Sequence, residues 1–196
     1  NDKVAYEEAM GMSYVGKRAL VSMKHVGLNV AADPFMSSAL TGANGGLVLA
    51  VADDPGMHSS QNEQDSRYYG YFAQVPTFEP GNQQEAYAMT REAFEVSEHF
   101  GLPIVVRLVT RLAHSRAKVV TGPRVVPPPR DRVTDWHEWT LLPANARQRF
   151  NRLLRLQPKL QEYAQRSEFN ELTMRGPKGV IVTGLACNYF HEAVSP

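Results

Sequence analysis

The sequence predicts an α/β fold in which a mainly parallel, open sheet carries helices on both faces. Three short segments, 18–23, 47–52 and 104–109, are apolar and lack the alternation of a half-exposed strand. Helical patterns separate them at the spacing of βα units, and the strongest of these covers 83–100. We therefore expect the three segments to be neighbouring parallel strands that are buried on both faces.

The other elements follow from local signals. Asp33 can cap a helix whose first position is Pro34, and the spacing of apolar residues indicates a helix near the start of the chain. We expect helices over 3–15, 34–41 and 63–72, a short strand over 75–78, and polar loops over 24–29, 53–62 and 110–116.

Two further segments follow this core. The stretch 121–132 is rich in proline and arginine and is expected to be an extended linker. Residues 145–165 have the pattern of a basic amphipathic helix that Pro158 kinks or divides. This helix should dock on the core while its arginines stay in water. The side chains expected to be buried are Phe150, Leu153, Leu154 and Leu160.

The last apolar segment, 179–183, is expected to be a strand that begins a second α/β unit. A strand that opens such a unit should be followed by more of it. We therefore expect the chain to be a fragment, or a reduced relative, of a longer protein. The expected divisions are 1–120, 121–178 and 179–196.

Charge is unevenly distributed along the chain. The net charge is +1, but residues 1–106 carry −7 and residues 107–178 carry +9. This asymmetry suggests two functionally different pieces. The basic segment 147–159 could contact nucleic acid, but it has no interleaved aromatic residues and no known module signature. We therefore expect no nucleic-acid partner.

Several classes of site are excluded by missing motifs. A single cysteine rules out a disulfide framework, a four-cysteine zinc site and a self-contained iron–sulfur cluster. No GxGxxG, P-loop, HExxH or GxSxG motif occurs, so we expect no metal site, and the usual nucleotide-binding and hydrolase sites are disfavoured. No apolar run approaches the ~18–20 residues that span a membrane, and without a signal peptide the expected location is the cytoplasm.

Three polar loops should meet at one edge of the sheet, because ligands bind outside the carboxyl ends of parallel strands. They are 23–29, 52–65 and 110–116. A simpler interpretation stays open for each. Asp53 to Gly56 can be only a capped turn, and His58 and His114 can be merely solvated.

The residues of these loops resemble a known family. The stretches are DKVAYE at 2–7, MKHVGLNVAADP at 23–34, VADDPGMHSSQNEQD at 51–65 and TRLAHSR at 110–116. They resemble the alpha subunit of indolepyruvate ferredoxin oxidoreductase, in the thiamine-diphosphate-dependent 2-oxoacid:ferredoxin oxidoreductase superfamily. The resemblance covers most of 1–120 and returns weakly at 179–194. It implies a pyrimidine-binding domain, followed by the start of a domain like the transketolase C-terminal domain.

The resemblance also implies an activity. The family decarboxylates an aryl pyruvate oxidatively, passes electrons through iron–sulfur clusters to ferredoxin and releases an acyl-CoA. A glutamate directly before the KVA sequence hydrogen-bonds the aminopyrimidine ring and activates the cofactor. Asp2 occupies that position here, with a reach shorter by about 1.5 Å, one carbon–carbon bond. Asp2 is therefore a working catalytic variant, a weakened one, or a helix cap in a degenerate copy.

Further site residues follow from the same resemblance. Contact with thiamine diphosphate is implied for Lys24, His25, Gly27 and Asn29. Substrate or subunit contacts are implied for Asp54, His58, Ser59, Arg111 and His114. The Gly-Asp-Gly motif for diphosphate and magnesium is absent, as is the cysteine-rich tail. Mg²⁺ and iron–sulfur clusters are therefore expected only in missing domains.

The chain should thus hold one half of a thiamine site. The expected partners are a diphosphate-binding domain or subunit, a beta subunit and ferredoxin, with CoA and an aryl pyruvate as substrates. The alternative is a non-catalytic assembly module of the same lineage, which keeps the fold and the interface but not the chemistry.

Overall fold

A four-stranded, all-parallel open sheet forms the centre of the protein in the computed structural model, which describes residues 1–174 and 176–194. The strand order is β1-β2-β4-β3. Helices flank this sheet, so the predicted α/β fold class is confirmed. The strands are β1 (Ala19–Lys24), β2 (Leu47–Asp53), β3 (Thr77–Phe78) and β4 (Ile104–Val109).

The helices connect the strands and continue beyond them. Asn1 caps the first helix by accepting a hydrogen bond from the backbone N–H of Lys3, and Asn82 caps the longest core helix through the N–H of Glu85. A single turn of 3-10 helix covers Trp136–Glu138. The α-helices are α1 (Asp2–Tyr14), α2 (His25–Val30), α3 (Ala32–Thr41), α4 (Arg67–Ala73), α5 (Gln83–Phe100), α6 (Thr110–His114), α7 (Pro143–Arg166) and α8 (Ala186–Val194).

Strand β2 is the centre of the core. It pairs with β1 on one side and β4 on the other, so that Val48 lies between Leu20 and Ile104. Val48 and Val51 are fully buried, as expected of an apolar run with neighbours on both edges and both faces.

Strand β1 corrects one expectation. We expected 18–23 to be buried on both faces, but β1 is an edge strand whose residues alternate between buried and exposed. Leu20 is 49% exposed. The exposure of β1 follows from which helices cover each strand. Helices α1 and α2 pack on β1, whereas α5 packs on β2 and β4.

Strand β4 differs from a second expectation. The segment 104–109 was expected to be uniformly apolar, yet Arg107 lies within it and is buried. Its guanidinium is tolerated there because carboxylates surround it, as described below.

Several boundaries also differ from the prediction. Helix α3 begins at Ala32, and Asp33 lies exposed in its first turn without capping it. Helix α4 begins only at Arg67. The segments expected as loops after β1 and β4 contain α2 and α6, which are short helices held by tertiary contacts more than by propensity.

Helix α7 is continuous through Pro158 and docks on the core through one stripe. Leu153 is 3% exposed, and Leu156, Leu160 and Tyr163 pack beside it. Phe150 and Leu154 remain 45% and 43% exposed, so the expectation that they are buried is wrong. Leu154 is rotated by about 100° from Leu153 around the helix and points away from the contact.

The linker before α7 lies along α5. The N–H of Val120 donates to Gln84, and the N–H of Gly122 donates to the hydroxyl of Tyr87. Arg91 donates to the carbonyl of Pro123. The start of this linker is thus held on α5 by polar contacts.

The segment after α7 lacks the expected strand. Within the described residues, 179–183 pairs with no strand, and Ile181 is 96% exposed. The backbone N–H and C=O groups of a strand need a neighbouring strand to pair with. Among the described residues, 179–183 has no such neighbour. The divisions at 121 and 179 stay predictions, and Arg175, Ser195 and Pro196 lie outside the described residues. Among the described helices, none combines the length and apolar character required to cross a bilayer.

The docking of α7 gives a test with a matched control. Leu153→Ala should lower the free energy of unfolding by about 2–5 kcal/mol, because it opens a cavity in the core. Leu154→Ala on the same helix should cost less than about 1 kcal/mol. Urea unfolding of both variants measures the difference. Equal losses would contradict the docking geometry.

Candidate functional site

The segments that follow β1, β2 and β4 meet at the carboxyl edge of the sheet, as predicted. Lys24, the last residue of β1, donates from Nζ to the carbonyl of Ser59 at 3.0 Å and to the hydroxyl of Ser60 at 2.5 Å. Thr110, the first residue of α6, donates to Asp54 at 2.6 Å. The long loop 54–66 is therefore tied to both of its neighbours.

The carboxylate of Asp54 stabilises the conformation of the loop 54–66 by accepting hydrogen bonds. It accepts hydrogen bonds from the hydroxyl of Thr110 and from the N–H of Ser59 at 2.7 Å. These donors, with Thr110 contributing most, lower the pKa of the Asp54 carboxyl far below its usual range. Asp54 and Ser59 thus shape the loop in this structure.

A buried ion network supports the loop from below. Arg107 donates from Nε to Asp53 at 2.6 Å and also pairs with Glu79. Asp53 accepts hydrogen bonds from both the backbone N–H and the hydroxyl of Ser66, at the end of the loop. Asp65 lies 3.8 Å from Arg107. The network joins β2, β4, β3 and the start of α4.

Sequence reasoning missed Asp53, Ser66, Glu79 and Arg107 as site residues. A signal was present, because Arg107 is a charged residue inside an apolar strand and such a residue needs a buried partner. Its partners come from positions 53, 65 and 79, and no local pattern identifies them.

His25 lies fully buried at the start of α2. Its Nε2 is 3.1 Å from the carbonyl oxygen of Asn62. A carbonyl only accepts, so Nε2 carries a hydrogen, and in the tautomer with this single ring hydrogen Nδ1 is an acceptor. Nδ1 is buried and has no hydrogen-bond partner among the described residues. Such an atom indicates a place for a donor, a water molecule or a ligand, beyond the described residues.

Asp2 lies at the first turn of α1, against α2. A Cβ added at Gly27 would be 2.5 Å from Asp2 Oδ1, so the carboxylate rests directly on the backbone of α2. Asn1, and not Asp2, is the N-cap of α1. Within 1–174 and 176–194, no residue forms a hydrogen bond or ion pair with the Asp2 carboxylate.

The remaining predicted residues are more dispersed. Asn29 is exposed on α2, and His58 and His114 are exposed on the loop and on α6. Arg111 stacks over the ring of Tyr189 at 5.3 Å and so faces α8. The described part of the chain contains no cluster of histidine, cysteine and carboxylate side chains suited to a metal ion.

The chain is similar over its whole length to proteins described as indolepyruvate oxidoreductase subunit IorA. The protein from Archaeoglobus fulgidus is 46% identical over 199 residues, covering 99% of this chain and 32% of that protein. The proteins from Pyrococcus abyssi and Methanothermobacter thermautotrophicus are 42% and 41% identical, covering 100% and 99% of this chain and 31% and 32% of theirs. No family model matches. The chain spans about a third of the length of these curated relatives.

The buried ion network predicts a large effect of removing its cation. Arg107→Met leaves Asp53 and Glu79 without a counter-charge and should destabilise the fold by about 3–5 kcal/mol. Arg67→Met, which breaks the exposed pair with Asp65, should cost no more than about 1 kcal/mol. Thermal unfolding compares the two. A small loss for Arg107→Met would show that the network does not anchor the loop.

Proposed function

Because the chain belongs over its whole length to the family of indolepyruvate oxidoreductase subunits IorA, we propose that it forms the pyrimidine half of a thiamine-diphosphate site. The whole enzyme would be a 2-oxoacid:ferredoxin oxidoreductase that acts on indolepyruvate or a similar aryl pyruvate. The observation that carries this proposal is the Asp2 carboxylate, unpaired among the described residues and lying against Gly27 on α2, the helix that also carries the buried His25.

The residues present fit an aminopyrimidine ring. Such a ring donates hydrogen bonds from its exocyclic amino group and from a protonated ring nitrogen, so it needs a carboxylate and a further acceptor. The Asp2 carboxylate and Nδ1 of His25 are acceptors of these two kinds. Gly27 presents backbone without a side chain, which leaves room for the Asp2 carboxylate beside α2.

When bound, thiamine diphosphate supplies the thiazolium carbon on which a 2-oxoacid can be decarboxylated. The residues of this chain would bind and orient the cofactor. Asp2 would accept a hydrogen bond from the aminopyrimidine ring at its carboxylate oxygen and so support activation of the cofactor. Lys24 uses two of its N–H groups on the loop 54–66, which leaves its third N–H for a substrate carboxylate.

The proposed site needs a second half. The diphosphate-binding domain or subunit would supply Mg²⁺ binding, and iron–sulfur clusters, ferredoxin, CoA and the beta subunit would act elsewhere in the assembly. Asn29, His58, Arg111 and His114 are proposed to contact the cofactor, substrate or other subunits from the rim of the site.

Helix α4 offers a surface for that second half. Tyr68, Tyr71 and Phe72 share one face of the helix and are 73%, 84% and 75% exposed. Exposed aromatic residues grouped in this way are typical of interfaces. Helix α4 begins directly after the loop 54–66, so we propose that its aromatic face borders the half-site.

The role of Asp2 is open to a direct test. In the complete enzyme, Asp2→Asn keeps the size but removes the charge and should lower kcat by at least about 10²-fold. Asp2→Glu should preserve or raise kcat. The 196-residue chain alone should not oxidise indolepyruvate, since it lacks cluster ligands and a diphosphate motif. If the Asn variant turns over as fast as the parent, the chain is an assembly module and the catalytic carboxylate lies elsewhere.

A charged substitution tests whether the aromatic face of α4 contacts the second half of the site. Tyr71→Lys in the complete enzyme should weaken thiamine diphosphate binding about tenfold, which corresponds to the ~1.4 kcal/mol lost with a modest interface anchor. Val126→Lys, at a linker residue that is 78% exposed, is the matched control. Calorimetry gives both affinities. Equal behaviour of the two variants would show that α4 does not face the second half of the site.

A further inference from the structure

Gly27 is a glycine that backbone geometry does not explain. It lies inside α2, and its φ is not in the left-handed region. Alanine would be the better helix former at such a position. The reason for a glycine must therefore be the space that a side chain would occupy.

That space is filled mainly by Asp2. A Cβ at position 27 would be 2.5 Å from Oδ1 and 2.8 Å from Cγ of Asp2, and 2.9 Å from Cβ of Met23. All three distances are shorter than van der Waals contact, and the two shortest involve the carboxylate. Gly11, in α1, has no atom within 4 Å of its corresponding position, so a glycine inside a helix is not crowded for that reason alone.

The first turn of α1 cannot simply move away from α2. Tyr6, one turn further along, is fully buried, and its hydroxyl shares a 2.8 Å hydrogen bond with Ser38 on α3. Asn1 caps the helix through the N–H of Lys3. With the helix anchored, a methyl group at position 27 would force the short Asp2 side chain to rotate away, and it would also press on Cβ of Met23 at 2.9 Å.

We infer that Gly27 is a positioning residue for the Asp2 carboxylate: its missing side chain is the recess that holds the carboxylate toward the cofactor. This inference rests on the proposed function, in which Asp2 meets the aminopyrimidine ring. Gly27 acts only through Asp2, so its effect should vanish when Asp2 has lost its charge.

A double-mutant cycle in the complete enzyme tests this. The forms compared are the parent, Gly27→Ala, Asp2→Asn and the double variant, with Gly11→Ala as the control. The measurements are kcat and KM for indolepyruvate, exchange of the C2 hydrogen of thiamine diphosphate in deuterated solvent, cofactor affinity by calorimetry, and thermal unfolding.

Gly27→Ala should lower kcat and the exchange rate by about 10²-fold, as expected for a group displaced by about 1 Å. KM should change little, because the contact mainly serves cofactor activation. The double variant should be no slower than Asp2→Asn, and its cofactor affinity should be no weaker. Gly11→Ala should behave as the parent.

Three results would overturn the inference. They are an unchanged Gly27→Ala enzyme beside a slow Asp2→Asn enzyme, a double variant that loses the full product of both effects, and a Gly27→Ala protein that does not fold. The last would show that the Met23 contact governs position 27. An Asp2→Asn enzyme as fast as the parent would instead refute the proposed function itself, so the two failures are distinguishable.

Discussion

The buried ion pair between Arg107 and Asp53 is the constraint on which the carboxyl edge of the sheet depends. Arg107 places a full charge inside the central part of the sheet, and such a charge is stable only when carboxylates surround it. Asp53, on β2, forms the ion pair with Arg107 and also accepts a hydrogen bond from Ser66 at the end of the long loop. One pair therefore joins two neighbouring strands to the segment that closes the candidate site.

Helix α2 connects this anchored loop to Asp2. His25, with Lys24 just before it, hydrogen-bonds the loop, while Gly27 on the same short helix receives the Asp2 carboxylate. The proposed half-site is thus a set of short polar contacts built on an apolar sheet. Its open elements, Nδ1 of His25 and the exposed face of α4, are those that a cofactor and a second domain would complete.

The fold was predictable where local signals and burial agree. The strand Ile104–Val109 and the helix Gln83–Phe100 have the predicted bounds, because an apolar run between capping and stop residues specifies its own limits. Prediction failed where the surroundings decide. The exposed face of Leu20, the exposure of Leu154 and the unpaired segment 179–183 depend on which neighbours are present.

The sequence by itself determined the α/β class, the parallel strands and the place of the polar loops, since these follow from periodicity and from the geometry of parallel sheets. The resemblance of the loop motifs also pointed to Asp2, Lys24 and His25. Only the tertiary structure decided that Arg107 pairs with Asp53 and that the Asp2 carboxylate lies against Gly27. These contacts join residues separated by 54 and 25 positions, and such distances close only when the hydrophobic core has packed the elements together.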